Sequence, residues 1–435
     1  MRRTPLESWI VNKTKINERS KRALEAYQLK KVRETVGYAK ENSGFYRELL
    51  KDIVIADLQS LEDLQKLPFT SSQDVRKKSH GFLCVPQREV KRIVTLNTSG
   101  TSGEEKRIFF TKEDLDCTID FFKYGMSSLV DHRDRVLILL PGSAYGSIGN
   151  LLRKALEMWH IGCIVHGLLA DPEEVARCIE EEDITCIVGV PMQVLYLSRV
   201  KSEVFNRRIK KVLLSTDYVP EVLIDELTHK HGCSTFTHYG MTEMGYGGGV
   251  ECEALKGYHM REGDLYFEII NPDTGKAVEK GQYGEVVFTT LTRQAMPLIR
   301  YRTGDMAAFS SINCPCGTFL NTMKRAQGRM ENRVELGKNQ FLCLRELDEI
   351  IWGFEDILDY KASIDVKGKF LLEITTKNEE IFYQIKDETA NKVEDILHHK
   401  LGSRLEMKII FNSEKQLTSI PNSMIKRKIH DYRKG

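Results

Sequence analysis

The chain has 435 residues, 41% of them hydrophobic and 29% charged, the balance of a globular protein with room for two or three domains. Lys and Arg number 64 against 62 Asp and Glu, a net charge of +2, which makes no global case for a nucleic-acid or membrane partner. No window approaches the ~20 apolar residues of a spanning helix, the opening MRRTPLESWIVNK has no apolar run after its arginines, and ten scattered cysteines suit a reducing compartment, so the expectation is a cytoplasmic enzyme.

Apolar positions at helical spacing run through residues 18–51 and end near Asn42-Ser43-Gly44. Residues 92–111 place a loop of glycines and hydroxyl residues between two strand-like segments. From RVLILLPGSAYGSIGN (135–150) onward, strand, turn and helix alternate through EEVARCIEEEDITCIVGVPMQVLYLSRV and IKKVLLSTDYVPEVLIDELTHKHGCSTFTHYG. Alternation at this length argues for parallel strands joined by crossover helices. The acidic run at 180–183 reads as a solvated helix end. After Gly247 the texture turns β-rich, with Asp-Thr-Gly as a turn signal in GDLYFEIINPDTGKAVEKGQYGEVVFTTL. From about Gly328, KFLLEITTK and LEMKIIF read as strands around an amphipathic helix whose His398-His399 suit its C-terminal dipole. The fold class is therefore α/β: a large N-terminal domain (1–327) of parallel α/β subdomains plus a β-rich portion, then a small α+β C-terminal domain (328–435).

Four stretches carry chemistry. In LNTSGTSGEEKRIFFT (96–111), Gly100 and Gly103 free the backbone N–H groups to form an anion-binding concavity, Thr98, Ser99, Thr101 and Ser102 add hydroxyl donors, and Lys106 supplies a point charge. No Gly-Lys-Ser/Thr occurs, so this is not a P-loop, and a plain polar hairpin is the alternative. THYGMTEMG (237–245) offers an aromatic to stack on a base and a glutamate suited to Mg²⁺, at the end of a βα-type strand. In YRTGD (301–305), Asp305 is placed to accept from ribose hydroxyls, and GRMENRVELG (328–337) marks the start of the small domain.

In this order the four motifs resemble those of the adenylate-forming (AMP-forming) acyl-CoA synthetase superfamily, and the chain's length and N-terminal texture are similar to phenylacetate–CoA ligases. Glu105 stands where that family's loop usually has proline. The resemblance implies ATP/AMP, Mg²⁺ and coenzyme A as cofactors, with a small carboxylic acid and coenzyme A as partners and no nucleic acid or membrane; a homodimer is common in the superfamily. It implies that 98–106 cradles the β- and γ-phosphates, that Glu243 binds Mg²⁺ with Thr242 at the α-phosphate, and that Tyr239, between His238 and Gly240-Met241, stacks on adenine. Asp305 would hold the ribose with Arg329 in support, and Ser215, Thr216 and Asp217 replace the family's usual adenine-edge residues. The adenylation lysine falls at Lys426 in IPNSMIKRK, where Asn422, Met424 and Ile425 depart from the pattern; Lys428 is its rival, and a solvated basic tail the alternative. Glu331 falls at the family's hinge, and Gly337 with the following NQF resembles a loop near the CoA thiol channel, or an ordinary turn.

The acyl pocket is expected around Tyr145, Gly146, Gly189 and Pro191 to Met192, where small residues leave room for an aryl or arylalkyl carboxylate and no basic residue stands out for a second carboxylate. Cys252, His259, Cys314 and Cys316 supply three thiolates and an imidazole, the set for a closed structural Zn²⁺ site, an arrangement frequent among phenylacetate–CoA ligases; buried free thiols are the alternative. Rival functions are an adenylating enzyme with a non-CoA acceptor (coenzyme F390 synthetase-like), a kinase or ATPase, and a nucleotide-binding relative without catalysis.

Overall fold

The computed structural model describes residues 2–96, 105–329, 332–337, 340–401, 406–412 and 427–434. The chain divides into two compact units, one of Met1–Arg133, Gly142–Gly162 and Phe236–Ala326, the other of Asp134–Pro141, Cys163–Thr235 and Gln327–Gly435.

In the first unit the helix Lys21–Asn42 is capped by Ser20, whose hydroxyl accepts from the Ala23 amide at 3.3 Å. Its buried positions Leu24, Gln28, Val32, Thr35, Val36 and Ala39 follow the three- and four-residue spacing of one helical face. The expected strand-like flanks are the strands Arg92–Leu96 and Lys106–Phe110, which pair antiparallel, so the Gly/Ser loop (97–104, outside the described residues) joins two strands. Thr111 and Asp114 then form a capping box that starts the helix Lys112–Met126. The Asp114 carboxylate also accepts from the amides of Gln294 and Ala295, at 2.8 and 3.0 Å, which fixes the segment carrying Arg293. The β-rich portion is an antiparallel sheet of Leu265–Ile270, Gly284–Thr290 and Tyr301–Ala307.

The strand Ser234–Tyr239 departs from its expected βα form. It runs into the short 3₁₀ turn Thr242–Met244 and pairs antiparallel with Gly249–Glu251. Gly240 explains the tightness, since a Cβ there would sit 2.3 Å from the Tyr246 carbonyl oxygen. Gly245, in the left-handed region at φ 73°, ends the turn before a helix can propagate.

In the second unit the strands Arg135–Leu139, Cys186–Gly189 and Lys211–Leu214 are parallel. Their apolar runs VLIL, CIVG and KVLL lack polar alternation because helices such as Pro172–Glu181 and Pro191–Val200 bury them. The C-terminal part of this unit is a four-stranded sheet in the order Met407–Asn412, Phe370–Thr376, Ile357–Ile364, His430–Asp431. The helix Glu379–Leu401 links Phe370–Thr376 to the parallel Met407–Asn412, as the strand–helix–strand pattern predicts.

Candidate active site and metal centre

Strand periodicity builds the centre of the first unit. Tyr301–Ala307 alternates buried and half-buried residues, so Tyr301, Thr303 and Asp305 share one inward face. From that face Tyr301 donates its hydroxyl to Glu243 Oε1 at 3.1 Å, while Asp305 Oδ2 accepts from the Tyr239 hydroxyl at 2.9 Å. Two motifs distant in sequence are thus bonded at both ends. Lys106, the first residue of its strand, makes a buried ion pair with Glu243 and lies 3.1 Å from Ser72 Oγ and 3.4 Å from the Tyr301 hydroxyl.

The turn between Tyr239 and Glu243 is held by its own backbone. Met241 O accepts from the amides of Met244 and Tyr246, each at 3.0 Å, and Thr242 O accepts from Gly245 N at 3.0 Å. His238 is half-buried beside the Phe121 and Phe122 rings, and desolvation there pushes its imidazole down to about 4. Gly146 O accepts from the Tyr246 hydroxyl at 3.1 Å, which ties the expected acyl-pocket segment to this turn, whereas Tyr145 is 49% exposed with Lys154 over its ring.

Several residues of this centre were not singled out from sequence. Ser72 and Tyr301 complete the surroundings of Lys106. Arg293 lies over the Phe110 ring at 4.7 Å, donates to Glu243 O at 3.4 Å, and has a buried Nη1 without a partner among the described residues. Arg92 packs its stem 3.3 Å from where a Gly146 Cβ would be, so a basic residue does stand beside the expected acyl pocket. Its separation from Gly146 in the chain hid it; only the pairing of the 92–110 hairpin signals which residues it carries inward.

In the second unit, Ser215 N donates to Gly189 O at 3.0 Å, and Pro191 begins the helix that follows. Thr216 takes a left-handed backbone at φ 81°, unusual for a β-branched residue, and Tyr218 next to Asp217 donates to Glu349 at 2.5 Å. Arg329 is half-buried, its carbonyl accepting from Asn332 N at 3.1 Å. Thr98, Ser99, Gly100, Thr101, Ser102, Gly103, Glu331 and Lys426 lie outside the described residues. Lys428 is half-buried, beside Arg427, which pairs with Asp348 and stacks over Trp352 and Tyr360.

Cys252, His259, Cys314 and Cys316 converge in the first unit, all buried, with ligand atoms within 4.8 Å of one another. Cys252 and Cys314 sulfurs lie 3.7 Å apart, and His259 Nε2 is 3.3 Å from Cys252 Sγ and 3.5 Å from Cys316 Sγ. A tetrahedral ion with metal–sulfur bonds of about 2.3 Å needs sulfur–sulfur edges of about 3.8 Å, so the donor set and its spacing fit zinc. Thr322 Oγ1 lies 3.5 Å from His259 Nδ1, the outer-shell contact that orients a ligating imidazole. Glu243 also fits Mg²⁺, which characteristically takes one or two carboxylates and completes its shell with phosphate and water.

The model of the AMP-binding enzyme family matches residues 29–292. The chain belongs to that family. It is 28% identical over 412 residues to the phenylacetate–coenzyme A ligase of Thermus thermophilus, covering 89% of each chain. To the phenylacetate–coenzyme A ligase of Escherichia coli it is 26% identical over 397 residues, covering 87% of this chain and 88% of the other. Among solved structures, 2-hydroxyisobutyryl-CoA ligase in the postadenylation state with 2-HIB-AMP superposes at a TM-score of 0.79 with 19% identity, over 94% of this chain and 90% of that one. The chain therefore has the α/β fold of the adenylate-forming enzymes. No described helix is long and apolar enough to cross a membrane.

Proposed function

We propose that this protein is an AMP-forming acyl-CoA ligase acting on an aryl or arylalkyl carboxylate. The observation that carries the reading is the cross-bonded pair of motifs, Tyr301 to Glu243 and Asp305 to Tyr239, with Lys106 on the same glutamate. The substrate carboxylate oxygen attacks the α-phosphorus of ATP and pyrophosphate leaves; the thiol of coenzyme A then attacks the acyl carbonyl and AMP leaves.

Before substrate arrives, Lys106 and Glu243 neutralise each other in a site from which water is largely excluded. With ATP bound, Lys106 would pair with phosphate oxygens, with residues 98–103 assigned to the same phosphates, and Glu243 would hold Mg²⁺ with Thr242 near the α-phosphate. Bound Mg²⁺ would supply neutralisation of the phosphate charge. Asp305 is assigned to the ribose with Arg329 in support, Tyr239 to adenine between His238 and Gly240-Met241, and Ser215-Thr216-Asp217 to the adenine edge. Tyr145, Gly146, Gly189 and Pro191 are assigned to the acid, and Lys426, with Lys428 as its rival, to the adenylation step. The domain division at 327/328, with Glu331 as hinge, belongs to the same proposal, as do structural zinc on Cys252, His259, Cys314 and Cys316 and a cytoplasmic setting.

The test is pyrophosphate release with ATP and Mg²⁺ over aryl, arylacetic and short aliphatic acids, each with and without coenzyme A. Release with one acid class, and an acyl thioester only when coenzyme A is present, supports the reading. Adenylation without thioester would reassign the acceptor, as in a coenzyme F390 synthetase-like enzyme. No release from any acid would defeat it.

A further inference from the structure

A cavity of about 350 Å³ opens in the first unit between the end of the helix Ser72–Lys78 and the start of the strand Lys106–Phe110. Among the described residues it is lined by Arg76, Lys77, Lys78, His80 and Arg107, with Glu105 as the one carboxylate and Ser79 and Gly81 between them. Glu105 is already taken by Arg107, at 2.9 Å. Arg76, Lys77 and Lys78 make no ion pair among the described residues, and the Nε of Arg76 is buried without a partner. Basic residues in a last helical turn favour the helix dipole on their own. That effect accounts for neither a concave wall nor a buried, unsatisfied guanidinium N–H, which costs free energy unless something accepts from it.

Strand alternation separates this cavity from the centre described above. Lys106 turns inward to Glu243, so its neighbours Glu105 and Arg107 project from the opposite face of the strand. We propose that the cavity is a second anion site, binding a phosphate-bearing group, with the buried Nε of half-buried Arg76 as a donor and Lys77 and Lys78 supplying charge. Given the proposed chemistry, on which only the ligand's identity rests, two sources carry such a group: the pyrophosphate product and the phosphorylated nucleotide end of coenzyme A.

The experiment is equilibrium titration of the full chain with inorganic pyrophosphate, coenzyme A and dephospho-coenzyme A, for wild type, Arg76→Gln/Lys77→Gln, and the control Lys91→Gln at the far end of the same hairpin. These side chains are at the surface or half-buried, so the variants are expected to fold; Arg76→Lys is the milder second variant, expected to lie between wild type and the double variant. Weakening of pyrophosphate by tenfold or more, with coenzyme A unchanged, assigns the site to pyrophosphate. Weakening of coenzyme A but not of dephospho-coenzyme A assigns it to the nucleotide's 3′-phosphate. Affinities within twofold of wild type for every probe, or an equal loss in Lys91→Gln, overturn the proposal. Because binding is read without turnover, a chain inactive on every acid would defeat the ligase reading and leave this result standing.

Discussion

Replacing Arg199 with methionine keeps the side-chain stem and removes every donor from one of the most committed groups in the second unit. The Arg199 side chain is 2% exposed and makes a two-pronged ion pair with Glu226, itself 7% exposed. Its guanidinium also donates to the carbonyls of Trp352, at 2.7 Å, Phe354, at 3.1 Å, and Ile357. One side chain therefore ties the helix Pro191–Val200 to the segment following Leu344–Ile351. Breaking a buried pair by removing one partner costs about 3–5 kcal/mol, because the other charge stays buried. A second route gives a similar figure. Burial alone would raise the Glu226 carboxyl, but His231 and Arg199 outweigh it and hold it at about 2 against 4.5, a difference of about 3 kcal/mol. For a folded pKa below the unfolded one, this stability is present above about pH 4.5 and is lost as pH falls toward 2. Thermal unfolding of Arg199→Met at pH 7 should show the second unit melting about 10 °C lower, at roughly 2–4 °C per kcal/mol. Arg199→Met/Glu226→Gln should recover at least half of that loss, since the stranded charge is gone. A single variant melting within 2 °C of wild type, or a double variant no better than the single, would refute the reasoning.

Three further outcomes follow from the first unit. Purified protein should carry one zinc per chain, and Cys314→Ser should lose it with a marked fall in melting temperature; a metal-free chain with unchanged melting contradicts the structural site. Glu243→Gln and Lys106→Met should each lower pyrophosphate release about 100-fold, and combining them should restore stability without activity; a fully active Glu243→Gln would remove the glutamate from the chemistry. His238 is held neutral, at about 4 rather than 6.5, so the unfolded chain binds the extra proton and stability should fall by about 3 kcal/mol between pH 6.5 and 4. Urea unfolding of wild type against His238→Gln across that range isolates the difference, and parallel pH curves would show the ring to be solvated.

Much of the fold was legible because its signals are local. Strand–helix alternation around CIVG and KVLL read as parallel strands with crossover helices, and apolar spacing over 18–51 read as the helix that ends at Asn42. The βα expectation after Ser234–Tyr239 failed where a backbone approach, not a propensity, decides: Tyr246 O occupies the space a side chain at 240 would need. Glu243 and Asp305 could be picked out as chemistry-bearing types within short motifs. Their partners could not, since Tyr301 and Glu243 are 58 residues apart and Tyr239 and Asp305 are 66 apart. Ser72, Arg92 and Arg293 were hidden for the same reason; each is an ordinary polar residue until the helix Ser72–Lys78, the hairpin and the Asp114-anchored turn respectively deliver it. The cysteine cluster lay between these cases, its donor set readable but its convergence a matter of tertiary structure.

The central claim is that a carboxylate attacks the α-phosphorus of ATP, and oxygen transfer tests it most directly. An acid active in the pyrophosphate panel, labelled with ¹⁸O in its carboxylate, is turned over with ATP, Mg²⁺ and coenzyme A, and the products are weighed by mass spectrometry. The account predicts one ¹⁸O in AMP, none in pyrophosphate, and an acyl-CoA retaining the other. Label in inorganic phosphate, with ADP as the nucleotide product, would mean attack at the γ-phosphorus and would contradict it.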